Sequence, residues 1–124
     1  MRMFRRALVA ALSLWFAGSA QAQPATQTIV VWSYGFSPAP LHLAAGRPVT
    51  LVFENRSGSS HDFSAGGFFS SSAIIVGSAP GGEIDLPAHA TRSITLVPRA
   101  GSYDAHCSHF FHKQLGMRDQ ILVD

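Results

Sequence analysis

Apolar positions along the chain fall into short runs, and none repeats with the 3.6-residue period of a long amphipathic helix. From Thr28 onward the pattern alternates instead. Val49, Leu51 and Phe53 share one side of a run whose other side carries Thr50, Val52 and Glu54, which is the two-residue period of a half-buried strand. Runs of this kind predict strands over 28–33, 41–43, 49–55, 83–86, 92–97, 102–106 and 120–123, with 62–64 as a shorter candidate. Turn residues stand between them: Ala45-Gly46 before Arg47-Pro48, Ala79-Pro80-Gly81-Gly82, and the stretch from Pro98 to Gly101. Hairpins are the natural link for several of these pairs. Between Gly66 and Gly77, Phe68, Phe69, Ile74, Ile75 and Val76 are apolar but Ser70-Ser71-Ser72 interrupts them, so a short helical turn followed by an edge strand is expected.

Seven or eight short strands in about 100 residues describe an all-β domain, a two-sheet Greek-key sandwich or barrel whose inner faces bury alternate residues. An immunoglobulin-like adhesion domain has the same outline, so the architecture says little about function.

The first residues follow another rule. Arg2, Arg5 and Arg6 precede an apolar run from Ala7 to Gly18 and then Ala20-Gln21-Ala22, the layout of a secretory signal with a small-residue cleavage site. The run is short of the ~20 residues needed to span a bilayer. Cleavage after Ala22 leaves one domain over 23–124, enough chain for a single hydrophobic core, with a periplasmic or secreted location and no membrane span. Six basic residues then face seven acidic ones, so the whole chain's basic balance belongs to the signal. Nucleic acid is excluded as a partner, because no basic surface remains to neutralise phosphates.

Exported proteins ordinarily use cysteines in pairs, yet this chain has a single one, Cys107. An isolated cysteine is often a small buried hydrophobe. Here it stands in a run of His-Cys-Ser-His-Phe-Phe-His-Lys-Gln-Leu-Gly-Met, with Cys107, His112 and Met117 in steps of five residues. One loop between two strands carries all three. A thiolate, an imidazole and a thioether favour copper over calcium or magnesium. A trigonal plane of two nitrogens and one sulfur, with a weak axial thioether, is a mononuclear electron-transfer copper site, and it needs a second histidine from elsewhere. His61 is the best donor, since it follows the 49–55 strand and the Arg56-Ser57-Gly58-Ser59-Ser60 loop. His109 competes with His112, but one residue separates it from Cys107, which is tight for wrapping both donors onto one ion. His106 alternates with Cys107 along the strand and is expected to point away, and His42 and His89 show no partner in sequence.

Four stretches together resemble the cupredoxin family of small blue-copper proteins: Phe36-Ser37-Pro38 leading to Ala45-Gly46; the strand ending in Asn55 followed by His61-Asp62-Phe63; Gly101-Ser102-Tyr103 before Cys107; and His112 to Gly116-Met117 before the last strand. The ligand spacing is closest to rusticyanin-like members. The resemblance implies one type 1 copper ion, with His61, Cys107 and His112 as equatorial ligands and Met117 as the axial one. Two departures stand out. Asp62 occupies a place where the family often has asparagine, and a carboxylate accepts hydrogen bonds but cannot donate them as an amide does. His109 adds a second histidine to the loop.

Such a site performs outer-sphere electron transfer and breaks no substrate bond, so the chain is expected to be a monomeric carrier rather than an enzyme. The resemblance implies electron passage through the His112 edge, near Phe110, Phe111 and Leu115, to other exported redox proteins that bind briefly. The rival expectation is a copper protein of tolerance, storage or delivery, toward which the extra His42, His106 and His109 point. A nitrite reductase or multicopper oxidase needs further ligands and usually a second domain, and a dinuclear site needs two bridging cysteines.

Overall fold

The structure, a computed structural model, describes residues 11–15, 23–109 and 117–124. Within them the chain forms ten strands, one short helix and a 3-10 turn. The strands are β1 (Ala25–Trp32), β2 (Gly35–Ser37), β3 (Leu41–Leu43), β4 (Val49–Asn55), β5 (His61–Ser64), β6 (Ala73–Val76), β7 (Glu83–Leu86), β8 (Thr91–Val97), β9 (Gly101–His106) and β10 (Arg118–Val123). Helix α1 (Gly66–Ser71) lies between β5 and β6, and the 3-10 turn covers Pro80–Gly82.

They make two five-stranded sheets, in the orders β2-β1-β4-β8-β6 and β3-β10-β9-β5-β7. Pairing is antiparallel except for β1 with β4 and β3 with β10, which run parallel. The inward sets are those that alternation dictates: Val49, Leu51 and Phe53 of β4, Ile94 and Leu96 of β8, and Ile121 and Val123 of β10 are all buried. Between the sheets lies an aromatic cluster, with ring centroids 4.9 Å apart for Phe53 and Phe63 and 5.3 Å for Phe36 and Phe63. Edge and tilted contacts at these distances are favourable beyond the area they bury.

The all-β sandwich expected from the pattern is present, and three details differ. The three residues of β2 are too short a run to show periodicity beside Pro38, which raises the strand count to ten. Hairpins are rarer than expected: every link from β2–β3 through β8–β9 passes from one sheet to the other, including the one at Pro98–Gly101. Two amphipathic sheets with facing inner sides are closed by such crossings. The first and last strands also begin earlier than expected, β1 at Ala25 and β10 at Arg118.

The 66–77 stretch does form a helical turn followed by an edge strand. Phe68 and Phe69 are buried in the core, whereas Ile74, Ile75 and Val76 of β6 stay exposed. Gly82 closes this segment at φ 78°, where an added Cβ would lie 2.6 Å from Gly66 Cα, so no side chain fits there. Its carbonyl accepts the Ala65 amide at 2.9 Å.

Candidate metal centre

Three chain segments meet at one end of the sandwich. The first is the start of β5. Asn55, buried at the end of β4, donates from Nδ2 to the carbonyls of Ser59, Leu86 and Pro87 at 2.8, 2.9 and 3.1 Å. Its Oδ1 accepts the Ser57 amide at 3.0 Å and the Ser57 hydroxyl at 2.8 Å. One amide side chain thereby shapes the 56–60 loop that delivers His61.

The second and third segments are the end of β9 and the start of β10. Their register pairs His106 with Arg118, and the Cys107 amide continues the ladder by donating to the Met117 carbonyl at 3.1 Å. Two residues ten apart in sequence are held face to face by strand pairing. Cys107 and Met117 are fully buried and His61 is 2% exposed. Across the gap, Cys107 Sγ lies 3.9 Å from His61 Nδ1. Donors about 2.0–2.3 Å from a shared ion at trigonal angles stand about 3.7 Å apart, so this pair fits a common metal.

The sulfur is held further by its surroundings. The backbone amides of Asp62 and His109 hydrogen-bond to it, which favours the thiolate, but burial outweighs them and pushes the Cys107 thiol above its ordinary range. The nearby Asp62 and Glu83 carboxylates push the same way. Metal uptake at this site therefore displaces a proton.

Of the four ligands read from the sequence, the structure brings His61, Cys107 and Met117 to one place. His112 lies outside the described residues, as do Phe110, Phe111 and Leu115. His109 is closer than its spacing led us to expect: one of its ring nitrogens, Cys107 Sγ and an Asp62 oxygen lie within 4.8 Å of one another. Its Nε2 is 3.7 Å from Asp62 Oδ2, and its ring is 6.3 Å from that of His61. Among the described residues His42, His89 and His106 join no group of three ligating side chains.

Asp62 does bond to the Cys107 loop, and it does so purely as an acceptor. Oδ1 takes the Ser108 amide at 2.8 Å and the Ser64 hydroxyl at 3.0 Å, and Oδ2 takes the Ser108 hydroxyl. The buried Asp119 was missed in sequence because β10 was expected to begin at Gln120. Continuing the inward alternation of Ile121 and Val123 back by two residues finds it. It accepts the Gln120 amide at 2.7 Å, and burial pushes its carboxyl up to about 6.

A two-sheet sandwich with a buried cysteine, histidine and methionine brought together is the architecture of a cupredoxin-like domain, and the comparisons agree. The sequence profile of the cupredoxin-like domain matches residues 6–123, and the chain belongs to that family. Similar solved structures include an auracyanin B (19% identity, TM-score 0.58, covering 84% of this chain and 92% of that one). The dithionite-reduced auracyanin of Roseiflexus castenholzii shares 16% identity at a TM-score of 0.60, covering 83% of this chain and 99% of its own. A multicopper oxidase from Campylobacter jejuni shares 14% at 0.63, over 85% of this chain but only 31% of that protein. At these identities the likeness is one of fold. No curated protein is similar enough to this chain to count as a relative.

Proposed function

We propose that the chain is an exported electron carrier that holds one type 1 copper ion through His61, Cys107, His112 and Met117. The observation that carries this reading is the 3.9 Å approach of His61 Nδ1 to Cys107 Sγ, with Met117 facing the cysteine in a fully buried setting. When bound there, copper supplies a one-electron couple. The protein's part is to keep the donors in place: Asn55 orders the His61 loop, the β9–β10 ladder sets Cys107 against Met117, and two backbone amides fix the sulfur. A cage anchored on strands changes little between oxidation states, which lowers the reorganisation needed for electron exchange. The arginines and short apolar run of the first 22 residues support export and a mature domain of 23–124. The partners are other exported redox proteins, met transiently, and the domain acts as a monomer with no reaction of its own to catalyse.

The test is the visible spectrum of the copper-loaded protein. Intense thiolate-to-copper absorption is expected, lost in Cys107→Ser and severely weakened in His61→Ala and His112→Ala. His109→Ala keeps the band. A colourless holoprotein overturns the reading, and bleaching in His109→Ala but not in His112→Ala reassigns the fourth donor.

A further inference from the structure

The head of β10 has a neighbour on one side only. Cys107 donates to Met117, and the bonded pairs of an antiparallel ladder recur at every second residue, so Asp119 spends its own amide and carbonyl on Ala105 of β9. The Gln120 amide then points the other way, toward β3, whose pairing with β10 starts only where Leu41 meets Ile121. Asp119 takes the place of the missing strand. Its Oδ1 accepts the Gln120 amide at 2.7 Å, which lays the carboxyl along this open edge. The residue is 6% exposed, and Oδ2 is buried with no hydrogen-bond partner among the described residues.

A cleft of about 450 Å³ opens at the same edge, with Asp119 in its lining. Ala39 and Pro40, just before β3, and Ala105 of β9 give it apolar surface, and Asp104 and Arg118 bring charges of opposite sign. Small organic ligands occupy clefts of this size. A metal ion suits it less well: His106 is also in the lining, but among the described residues neither it nor Asp104 nor Asp119 joins a group of three ligating side chains.

We propose that this cleft binds a small amine, anchored by an N–H that donates to Asp119 Oδ2 and packed along its apolar body by Ala39, Pro40 and Ala105. A buried acceptor without a partner is costly, so a ligand that brings a donor makes a bond the fold leaves unmade. Asp104 offers the same nitrogen a second acceptor. An anion of the same shape has no N–H to give and meets two carboxyl groups. The amine site takes no donor from the copper centre, so it stands or falls independently of the copper reading.

Benzylamine is the probe, and benzoate is its anionic counterpart of similar shape. In titrations of the reduced protein followed by amide NMR, benzylamine is expected to shift Ala105, His106 and Gln120 saturably in the millimolar range. Asp119→Asn retains an oxygen for the Gln120 amide and turns the unpartnered acceptor into a donor. It is expected to weaken benzylamine about tenfold or more. Ala39→Leu, at an exposed position, fills the cleft without touching the carboxyl, is expected to weaken the probe similarly, and decides the matter should Asp119→Asn fail to fold. The absence of a saturable benzylamine shift overturns the site. So do equal shifts with benzoate, which Arg118 would favour, and so does an unchanged benzylamine affinity in either variant.

Discussion

Asp119 carries a pH dependence that can be worked out from its burial. It is 6% exposed, and its Oδ2 has no hydrogen-bond partner among the described residues. Its carboxyl rises from an ordinary 3.8 to about 6 because burial penalises the charged form. Between these values the folded state holds a proton that the unfolded state has released, so stability falls as pH rises through the window and levels off above it. In metal-free protein, the wild-type stability minus that of Asp119→Asn is expected to drop by about 2–3 kcal/mol between pH 4 and pH 7, read from urea unfolding at each pH. A flat difference would show that the carboxyl is solvated. Cys107 has the opposite consequence for metal: its raised thiol makes copper affinity climb with pH, since each ion bound must displace that proton.

Among the elements, the β4–β5 connection depends on Asn55 more than its position at a strand end suggests. Its amide satisfies three carbonyls and its oxygen accepts two bonds from Ser57, all at the junction of β4, β7 and the His61 loop. Asn55→Ala strands several of these groups in a buried place and is expected to cost about 2–4 kcal/mol in denaturant unfolding. Asn55→Asp should cost as much, because a carboxylate cannot donate to the three carbonyls; a near-neutral Asp variant would show that these bonds do not order the loop. Element limits were legible where alternation was long, as in β4, whose bounds match the expected 49–55. They were not legible for β2, where three residues give no period, or for the head of β10, where Arg118 and Asp119 look like loop polarity but Asp119 points inward.

At the scale of the whole molecule, the choice between a carrier and a copper store depends on how firmly the ligand segments are held. His61, Cys107 and Met117 each adjoin strands of the same sheet, and the Asn55 and Asp62 hydrogen bonds brace the segments that carry His61 and Cys107. Fast electron self-exchange, seen as NMR line broadening in mixed oxidation states, is expected together with slow copper loss to a competing chelator in both states. Ready loss from the reduced protein, or binding of a second ion at His106 or His109, would replace the carrier by a delivery protein.

Local chemistry determined much of this protein in advance. Side-chain alternation set the strands and their inward faces, because a two-residue period has only two sides to offer. A lone cysteine, five residues from His112 and ten from Met117, narrowed the expected chemistry to a soft metal, because thiolate, imidazole and thioether share few other uses. Tertiary structure decided what spacing cannot encode. Cys107 faces Met117 because strand register places them opposite, and Asp62 reaches the cysteine turn although 46 residues separate it from Ser108. His109 comes near the sulfur, to which its own backbone amide hydrogen-bonds. Sequence separation bounds how far apart two residues can be, whereas packing and pairing across the sheet determine which of them meet.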